Sequence, residues 1–164
     1  MTTYPQPLNP QVSVRMRANR RRDTGPERAV RSLLHRAGLR FFVDRPVRLA
    51  DRVVRPDIVF PRARVAVFID GCFWHACPQH GTRPRRNAGY WDPKLRRNVQ
   101  RDREVDAALA AAGWLPVRHW EHESPDAVAA DVEAIVSRRA TGPRADSVAG
   151  MAAGPRVTST VERR

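Results

Sequence analysis

The sequence predicts an α/β fold with one mixed β-sheet and helices packed on it. Two observations support this prediction. Apolar residues repeat at helical spacing in three segments, and four shorter segments are rich in β-branched and aromatic residues. Their order along the chain is helix, three strands, helix, strand, helix. The 164 residues are enough for one domain with a buried core.

The first helix is expected to begin directly after Thr24. Thr24 and Glu27 form the pattern of a capping box, and Pro26 suits a first helical turn. One apolar face follows at i, i+3, i+4, i+7 spacing, and Gly38 is placed to end the helix. The residues of that face are Val30, Leu33, Leu34 and Ala37.

The remaining elements are expected to alternate strands with two helices. Pro61-Arg62 is a plausible turn, so the second and third strands should form a hairpin. Ser124 is placed to cap the last helix. In chain order, the predicted elements are strands at 40–44, 53–60 and 63–70, a charged helix at 93–112, a strand at 114–121 and a final helix.

The charge of the chain points to nucleic acid as its partner. The formal net charge is +13, and Lys94 is the only lysine among 30 basic residues. Such an excess attracts nucleic acid through counterion release, whereas a GC-rich genome would explain only the preference for Arg over Lys. No membrane-spanning run or signal peptide is predicted, so we expect a cytoplasmic, nucleoid-associated protein.

Composition also divides the chain into a domain and two tails. Residues 1–13 and 140–164 are expected to be disordered, because the first segment is rich in Pro and the second is dominated by Gly, Pro, Ala and Ser without periodicity. The domain is predicted to cover 14–139, and its first residues, 14–22, form a basic arm.

The segment from Asp70 to His80 holds the densest group of chemically active residues. It contains both cysteines of the chain, two of the five histidines, an Asp and the rings of Phe73 and Trp74. Because no secretory signal is present, metal binding explains the cysteines better than a disulfide. The two rings could stack on nucleobases.

Asp57 and Asp70 are predicted to lie on neighbouring strands. A charged side chain among Val and Ile costs free energy unless it is paired or bound to a metal. Carboxylate oxygens suit the hard cations used in phosphodiester hydrolysis. The pattern is that of many restriction-type nucleases, except that their lysine is missing after Asp70. Taken alone, a Pro-Asp turn and a strand-end Asp that caps a loop would explain the same residues.

Several short segments occur together in a fixed order along the chain: Met16-Arg17, Arg22–Thr24, Asp57, Gly71–His75, Asn98–Arg103, Ala112–Trp114 and Trp120-Glu121. In these segments and their order the chain resembles the very short patch repair (Vsr) endonucleases, and the resemblance covers Val14 to His122. The resemblance implies a restriction-endonuclease-like fold of the PD-(D/E)xK superfamily, with a mixed sheet, flanking helices and a structural zinc. It also implies a Mg²⁺-dependent enzyme that nicks one DNA strand 5′ to the thymine of a T:G mismatch, the product of 5-methylcytosine deamination.

The resemblance implies catalytic roles for several acids and one histidine. It makes Asp57 and the backbone carbonyl of Ile69 ligands of Mg²⁺, and His75 the general base, since imidazole titrates near neutral pH. Glu27 falls where the family has a catalytic-site Glu, and it also fits the capping box. Asp70 stands where the family has a phosphate-contacting His, so it becomes a candidate for a second Mg²⁺ carboxylate.

The resemblance further implies a zinc site and a set of DNA contacts. The expected zinc ligands are Cys72, Cys77, His80 and His122, a set suited to tetrahedral zinc. Strand alternation makes His119 a less suitable ligand. The expected DNA-contacting residues are Met16, Arg17, Phe73, Trp74, Trp91, Arg96 and Arg97. Trp91 could instead pack in the core.

Two other functions remain open at this point. One is a restriction-type or damage-specific nuclease on the same fold, and the other is a non-catalytic zinc module that binds DNA. The expected partner is double-stranded DNA with a mismatch. Mismatch-repair proteins and a cytosine-5 methyltransferase are candidate functional partners. A monomer suffices, because only one strand would be cut.

Overall fold

The computed structural model describes residues 23–81 and 87–141, which form a mixed sheet flanked by helices. The helices are α1 (Gly25–Arg36), α2 (Ala88–Ala111) and α3 (Pro125–Thr141). The strands are β1 (Phe42–Val43), β2 (Val47–Arg48), β3 (Val53–Val54), β4 (Ile58–Phe60), β5 (Val65–Asp70) and β6 (Leu115–Trp120). The N-terminal segment, the basic arm with Met16 and Arg17, and the tail beyond residue 141 lie outside the described residues.

The main sheet has the strand order β1-β4-β5-β6, and the predicted α/β class with a mixed sheet is confirmed. β1, β4 and β5 pair antiparallel, and β5 pairs in parallel with β6 along six residue pairs, from Val65↔Leu115 to Asp70↔Trp120. A parallel partner requires a crossover, which here contains the Cys/His loop and α2. Consequently, the loops that follow β5 and β6 leave the sheet at the same edge.

Alternate residues of β5 face two different layers of the protein. Val65 and Val67 are fully buried against α1 and α3, in a cluster with Leu34 and Val132. Ala66 faces the other side of the sheet, where it packs with Leu109 of α2. The domain therefore has three layers, with α1 and α3 on one face of the sheet and α2 on the other.

Helix α1 begins as the sequence predicts. The Thr24 hydroxyl accepts a hydrogen bond from the Glu27 backbone N–H at 3.5 Å, and it donates one to Glu27 Oε1 at 3.0 Å. Gly38 has a φ of +81°, the left-handed conformation that commonly follows a helix. The predicted hairpin is also confirmed as β4 and β5, joined by a turn at 61–64.

The structure differs from the predicted elements in three places. The strand expected at 53–60 is two short strands, because Pro56 has no N–H for a sheet ladder and the chain leaves the strand there. A further strand, β2, pairs with β3 in a separate two-stranded sheet. Helix α2 begins at Ala88 and not at Pro93, because the backbone N–H groups of Tyr90 and Trp91 already bond the carbonyl of Asn87, so that Pro93 lies inside the helix. Within the described residues, no helix is both long and apolar enough to cross a bilayer.

Leu109 should be a principal anchor of α2, because its side chain is fully buried against Val59 and Ala66. We expect Leu109→Ala to lower the free energy of unfolding by about 3 kcal/mol, through lost burial and the cavity that remains. Urea denaturation measures this change. Val53→Ala is the control, because Val53 is 53% exposed and its truncation should change stability by less than about 0.5 kcal/mol. Equal losses in the two variants would contradict the assignment.

Candidate active site and metal centre

Asp57 lies directly before β4 and reaches across to the end of β5. Its Oδ2 accepts a hydrogen bond of 2.7 Å from the backbone N–H of Ile69. The antiparallel register pairs Ile58 with Val67, so the residue before Ile58 meets the last residues of β5. The structure thus brings Asp57 beside Ile69 and Asp70, although Asp57 precedes the strand and does not lie in its middle.

The surroundings of Asp57 disfavour a negative charge in the absence of a cation. Burial raises the pKa of Asp57 to about 6, and the nearby acids Glu27 and Asp70 also raise it. The hydrogen bond from Ile69 and the guanidinium of Arg31 oppose this shift. A carboxylate that is costly to ionise alone gains stability from a bound divalent cation. Asp57, with the carbonyl of Ile69, therefore fits the predicted cation site by its chemistry.

Glu27 is buried at the start of α1 and is fully engaged in local hydrogen bonds. Only 4% of its surface is exposed. It accepts hydrogen bonds from the Asp23 N–H at 2.9 Å and from the Thr24 hydroxyl at 3.0 Å, and Arg31 lies 3.5 Å away. The capping box is therefore present. Because Glu27 also influences the pKa of Asp57, its predicted catalytic-site role remains a proposal.

His75 is paired with an acid from α2 that the sequence interpretation did not assign. Its Nδ1 lies 2.5 Å from Oδ2 of Asp102. A carboxylate that accepts the Nδ1–H of a histidine fixes the ring and leaves Nε2 as the proton acceptor. The sequence interpretation included Asp102 only as part of the Asn98–Arg103 segment. The contact between α2 and the loop that contains His75 cannot be predicted from local sequence.

Asp70 is paired with Arg118 of β6, a contact that the sequence interpretation did not include, and its predicted role as a second Mg²⁺ carboxylate stays a prediction. Both carboxylate oxygens lie 2.9 Å from Nη1 of Arg118. The Nε of Arg118 lies 3.0 Å from both oxygens of Asp106. Burial lowers the pKa of Arg118, but these acids hold it above its ordinary value. The guanidinium would therefore compete with a divalent cation for these oxygens.

Cys72, Cys77, His80 and His122 come together as the sequence predicts. Their ligand atoms all lie within 4.8 Å of one another. The Nδ1 of His122 is 3.1 Å from the Sγ of Cys72 and 3.7 Å from that of Cys77. Two thiols and two imidazoles are a donor set for tetrahedral zinc, and the arrangement fits that ion.

The cluster exists because Cys72 follows β5 and His122 follows β6, and these parallel strands end side by side. Burial, together with the neighbouring Cys77, raises the pKa of the Cys72 thiol to about 11, so a thiolate at this position needs a cation. His119 points away from the cluster and bonds Glu123 at 2.9 Å.

Four aromatic rings and a lysine form a second cluster beside His75. The ring centroid of Trp91 lies 5.5 Å from that of Phe73 and 6.0 Å from that of Trp74. Trp91 is 7% exposed and packs against the other two rings, which agrees with the core-packing alternative, and its role as a DNA contact stays a prediction. The sequence interpretation gave Lys94 no functional role, although it is the only lysine of the chain. Its Nζ lies 5.3–5.6 Å from the ring centroids of Trp74, Tyr90 and Trp91. Arg96 and Arg97 are exposed on α2.

Known proteins similar to this chain are nucleases. The family described as "DNA mismatch endonuclease Vsr" matches residues 9–80. The type II nicking enzyme V.NaeI of Lentzea aerocolonigenes is 57% identical over 135 residues, 81% of each chain. V.XorIIP of Xanthomonas oryzae, also a type II nicking enzyme, is 44% identical over 115 residues, 68% of this chain and 79% of its own. The DNA mismatch endonuclease Vsr of Escherichia coli is 36% identical over 110 residues, 66% of this chain and 68% of its own.

The raised pKa of Asp57 predicts a pH-dependent cost of its charge. Folding raises this pKa from 3.8 to about 6. The protonated carboxyl of Asp57 therefore stabilises the folded state at acidic pH, and this contribution is lost as the pH rises through about 6. Without added Mg²⁺, Asp57→Asn should therefore raise the free energy of unfolding near pH 7 by about 2 kcal/mol. The difference in the free energy of unfolding between Asp57→Asn and the parent should narrow towards about pH 5, as measured by urea denaturation. A gap that stays constant between these pH values would contradict the buried charge.

Proposed function

The chain belongs to the Vsr family of DNA endonucleases, and from that membership we propose that it nicks one strand of duplex DNA 5′ to the thymine of a T:G mismatch, in a Mg²⁺-dependent reaction. The observation that carries the proposal is the placing of Asp57 and the His75–Asp102 pair at the end of β5, beside exposed arginines and stacked rings. The name of the Escherichia coli relative supports the mismatch substrate.

In the proposed reaction His75 is the general base. Its Nε2 takes a proton from the attacking water, while Asp102 holds the ring through Nδ1 and stabilises the imidazolium that forms. Asp57 and the Ile69 carbonyl would hold Mg²⁺, with Glu27 as a further acid nearby. When bound, Mg²⁺ would polarise the scissile phosphate and stabilise the charge that develops on its oxygens.

We assign the Cys/His cluster to a structural zinc. A closed set of four protein ligands leaves no position for a substrate, which is typical of structural sites. His75 lies between Cys72 and Cys77 in the chain, so zinc bound to these thiolates would also fix the position of the base. The zinc would thereby link the fold of the loop to the chemistry at its centre.

Phe73 and Trp74 are the rings that we propose to insert beside the mismatch. They pack edge to face, with centroids 5.0 Å apart, and Trp91 supports both from below. Unstacking a base step costs a few kcal/mol and costs less at a mismatch, so a wedge favours mismatched DNA. Arg96 and Arg97 would contact phosphates, and Met16 and Arg17 would approach from the basic arm.

A second candidate is a restriction-associated or damage-specific nicking enzyme. The observation that favours it is the naming of two relatives, at 57% and 44% identity, as type II nicking enzymes. Mismatch specificity in a given sequence context would be compatible with either name. A non-catalytic zinc module is disfavoured, because such a module has no need of the buried acid at Asp57. We propose a monomer acting at the nucleoid, functionally linked to a cytosine-5 methyltransferase and to mismatch-repair proteins.

Nicking of defined duplexes tests the proposed function directly. We expect Mg²⁺-dependent cleavage of the T strand in a T:G duplex, and much slower cleavage of matched and 5-methylcytosine duplexes. His75→Ala should lower the single-turnover rate by about 100-fold or more, because it removes the general base. Asp57→Ala should abolish cleavage, and Arg62→Met, in the exposed turn after β4, is the control. Equal cleavage of matched DNA would favour the restriction-associated alternative, and no cleavage with any divalent metal would exclude both nucleases.

The zinc assignment predicts one tightly bound zinc per chain. Cys77→Ser should lose the metal, because serine is a poor zinc ligand, and the midpoint of thermal unfolding should fall by roughly 10 °C or more. Metal release monitored with a chromogenic chelator measures the stoichiometry. His35→Ala is the matched control, since His35 is exposed on α1 and should leave zinc content unchanged. Full zinc content in the Cys77 variant would contradict the ligand set.

A further inference from the structure

Asp70 differs from Asp57 because a guanidinium of the chain is bonded to both of its oxygens. It is 8% exposed, and both of its oxygens lie 2.9 Å from Nη1 of Arg118. Asp106 holds the guanidinium from a second side, with 3.0 Å between each oxygen and Nε. The ring of Phe68 lies beneath it, with 4.4 Å between the ring centroid and Cζ. Arg118 therefore ties together the end of β5, β6 and α2.

The same guanidinium also reaches the pair that would transfer the proton. Its Nη2 lies 3.7 Å from Oδ1 of Asp102, whose other oxygen bonds His75. The Nδ1 of His75 is in turn 3.6 Å from Oδ1 of Asp70. One cation thus stands among three acids, Asp70, Asp102 and Asp106, and one histidine. A substitution of Arg118 should therefore affect both His75, the proposed base, and the carboxylate of Asp70.

Asp57 has a different set of neighbours. It accepts the backbone N–H of Ile69, and the acids Glu27 and Asp70 add to its negative surroundings, while the charge of Arg31 opposes them. Cations bind where carboxylate charge is poorly compensated, and a guanidinium bonded to both oxygens competes directly with such binding. A divalent cation is therefore favoured at Asp57 and opposed at Asp70.

We propose that Arg118 is a positioning residue that withholds Asp70 from the divalent cation, so that Asp57 binds the cation without a second carboxylate from β5. The inference rests on the proposed function, because it concerns the cation which that function requires. Without the guanidinium, the buried carboxylate of Asp70 would be uncompensated, and it would recruit the cation from Asp57 or share it. Either result would move the cation relative to His75.

Cation binding to the zinc-loaded protein without DNA tests this inference by calorimetric titration with Mn²⁺ as the probe. Arg118→Met should bind Mn²⁺ roughly tenfold more tightly, because a second carboxylate joins the site. The double variant Asp70→Asn/Arg118→Met should return to within about twofold of the parent affinity, and so should Asp70→Asn alone. Arg62→Met removes the same charge in an exposed turn and serves as the control.

Two results would overturn the inference: a roughly tenfold weaker Mn²⁺ affinity in Asp70→Asn, or an unchanged affinity in folded Arg118→Met. If Arg118→Met does not fold, Asp70→Asn and Arg118→Lys decide the matter. The lysine keeps a cation beside Asp70 and should preserve the parent affinity. Parallel nicking assays separate this inference from the proposed function. If the parent binds Mn²⁺ as expected but does not nick T:G DNA, the proposed function alone is refuted. If the parent nicks T:G DNA but Asp70→Asn binds Mn²⁺ more weakly, only the proposed role of Arg118 is refuted.

Discussion

β5 and β6 pair in parallel along six residues, and the candidate site is assembled where these two strands end. Asp70 lies opposite Trp120 at that edge, so the residues that follow each strand are brought together. Cys72 and His122 meet for this reason, and so do Cys72 and Glu121, where the backbone N–H donates to Oε1 at 2.7 Å. A shift of this register by one residue would turn Arg118 to the other face of the sheet and separate it from Asp70.

The site combines three kinds of electrostatic compensation within a short distance. The carboxylate of Asp57 is partly buried and is compensated mainly by a backbone N–H, whereas that of Asp70 is compensated by a guanidinium. The thiols of Cys72 and Cys77 belong to a donor set that suits a metal ion. The difference matters, because an uncompensated carboxylate favours a bound cation, whereas a guanidinium pair competes with one. Similar acids next to each other can therefore serve different purposes. Asp102 illustrates a third use, since its partner is the imidazole of His75.

Local sequence signals predicted the parts of the fold that local physics determines. The capping box at Thr24, the stop at Gly38 and the hairpin of β4 and β5 depend on residues close in the chain, and all are present. The four Cys and His residues could be grouped because the resemblance to the Vsr family implies zinc ligands in the loop after β5 and one more after Trp120-Glu121. The Asp70–Arg118 pair could not be predicted, since it joins residues 48 positions apart and depends on a parallel register. The burial of Trp91 depends likewise on how α2 packs on the Cys/His loop.

A crystal of the zinc-loaded protein soaked in Mn²⁺ would test the central claim most directly, through anomalous scattering. The account predicts a manganese peak against the carboxylate of Asp57 and the carbonyl of Ile69, with Asp70 still bonded to Arg118. It predicts a separate zinc peak among Cys72, Cys77, His80 and His122. A manganese peak bridging Asp57 and Asp70, with Arg118 displaced, would contradict the account, as would manganese bound elsewhere with Asp57 left without a cation.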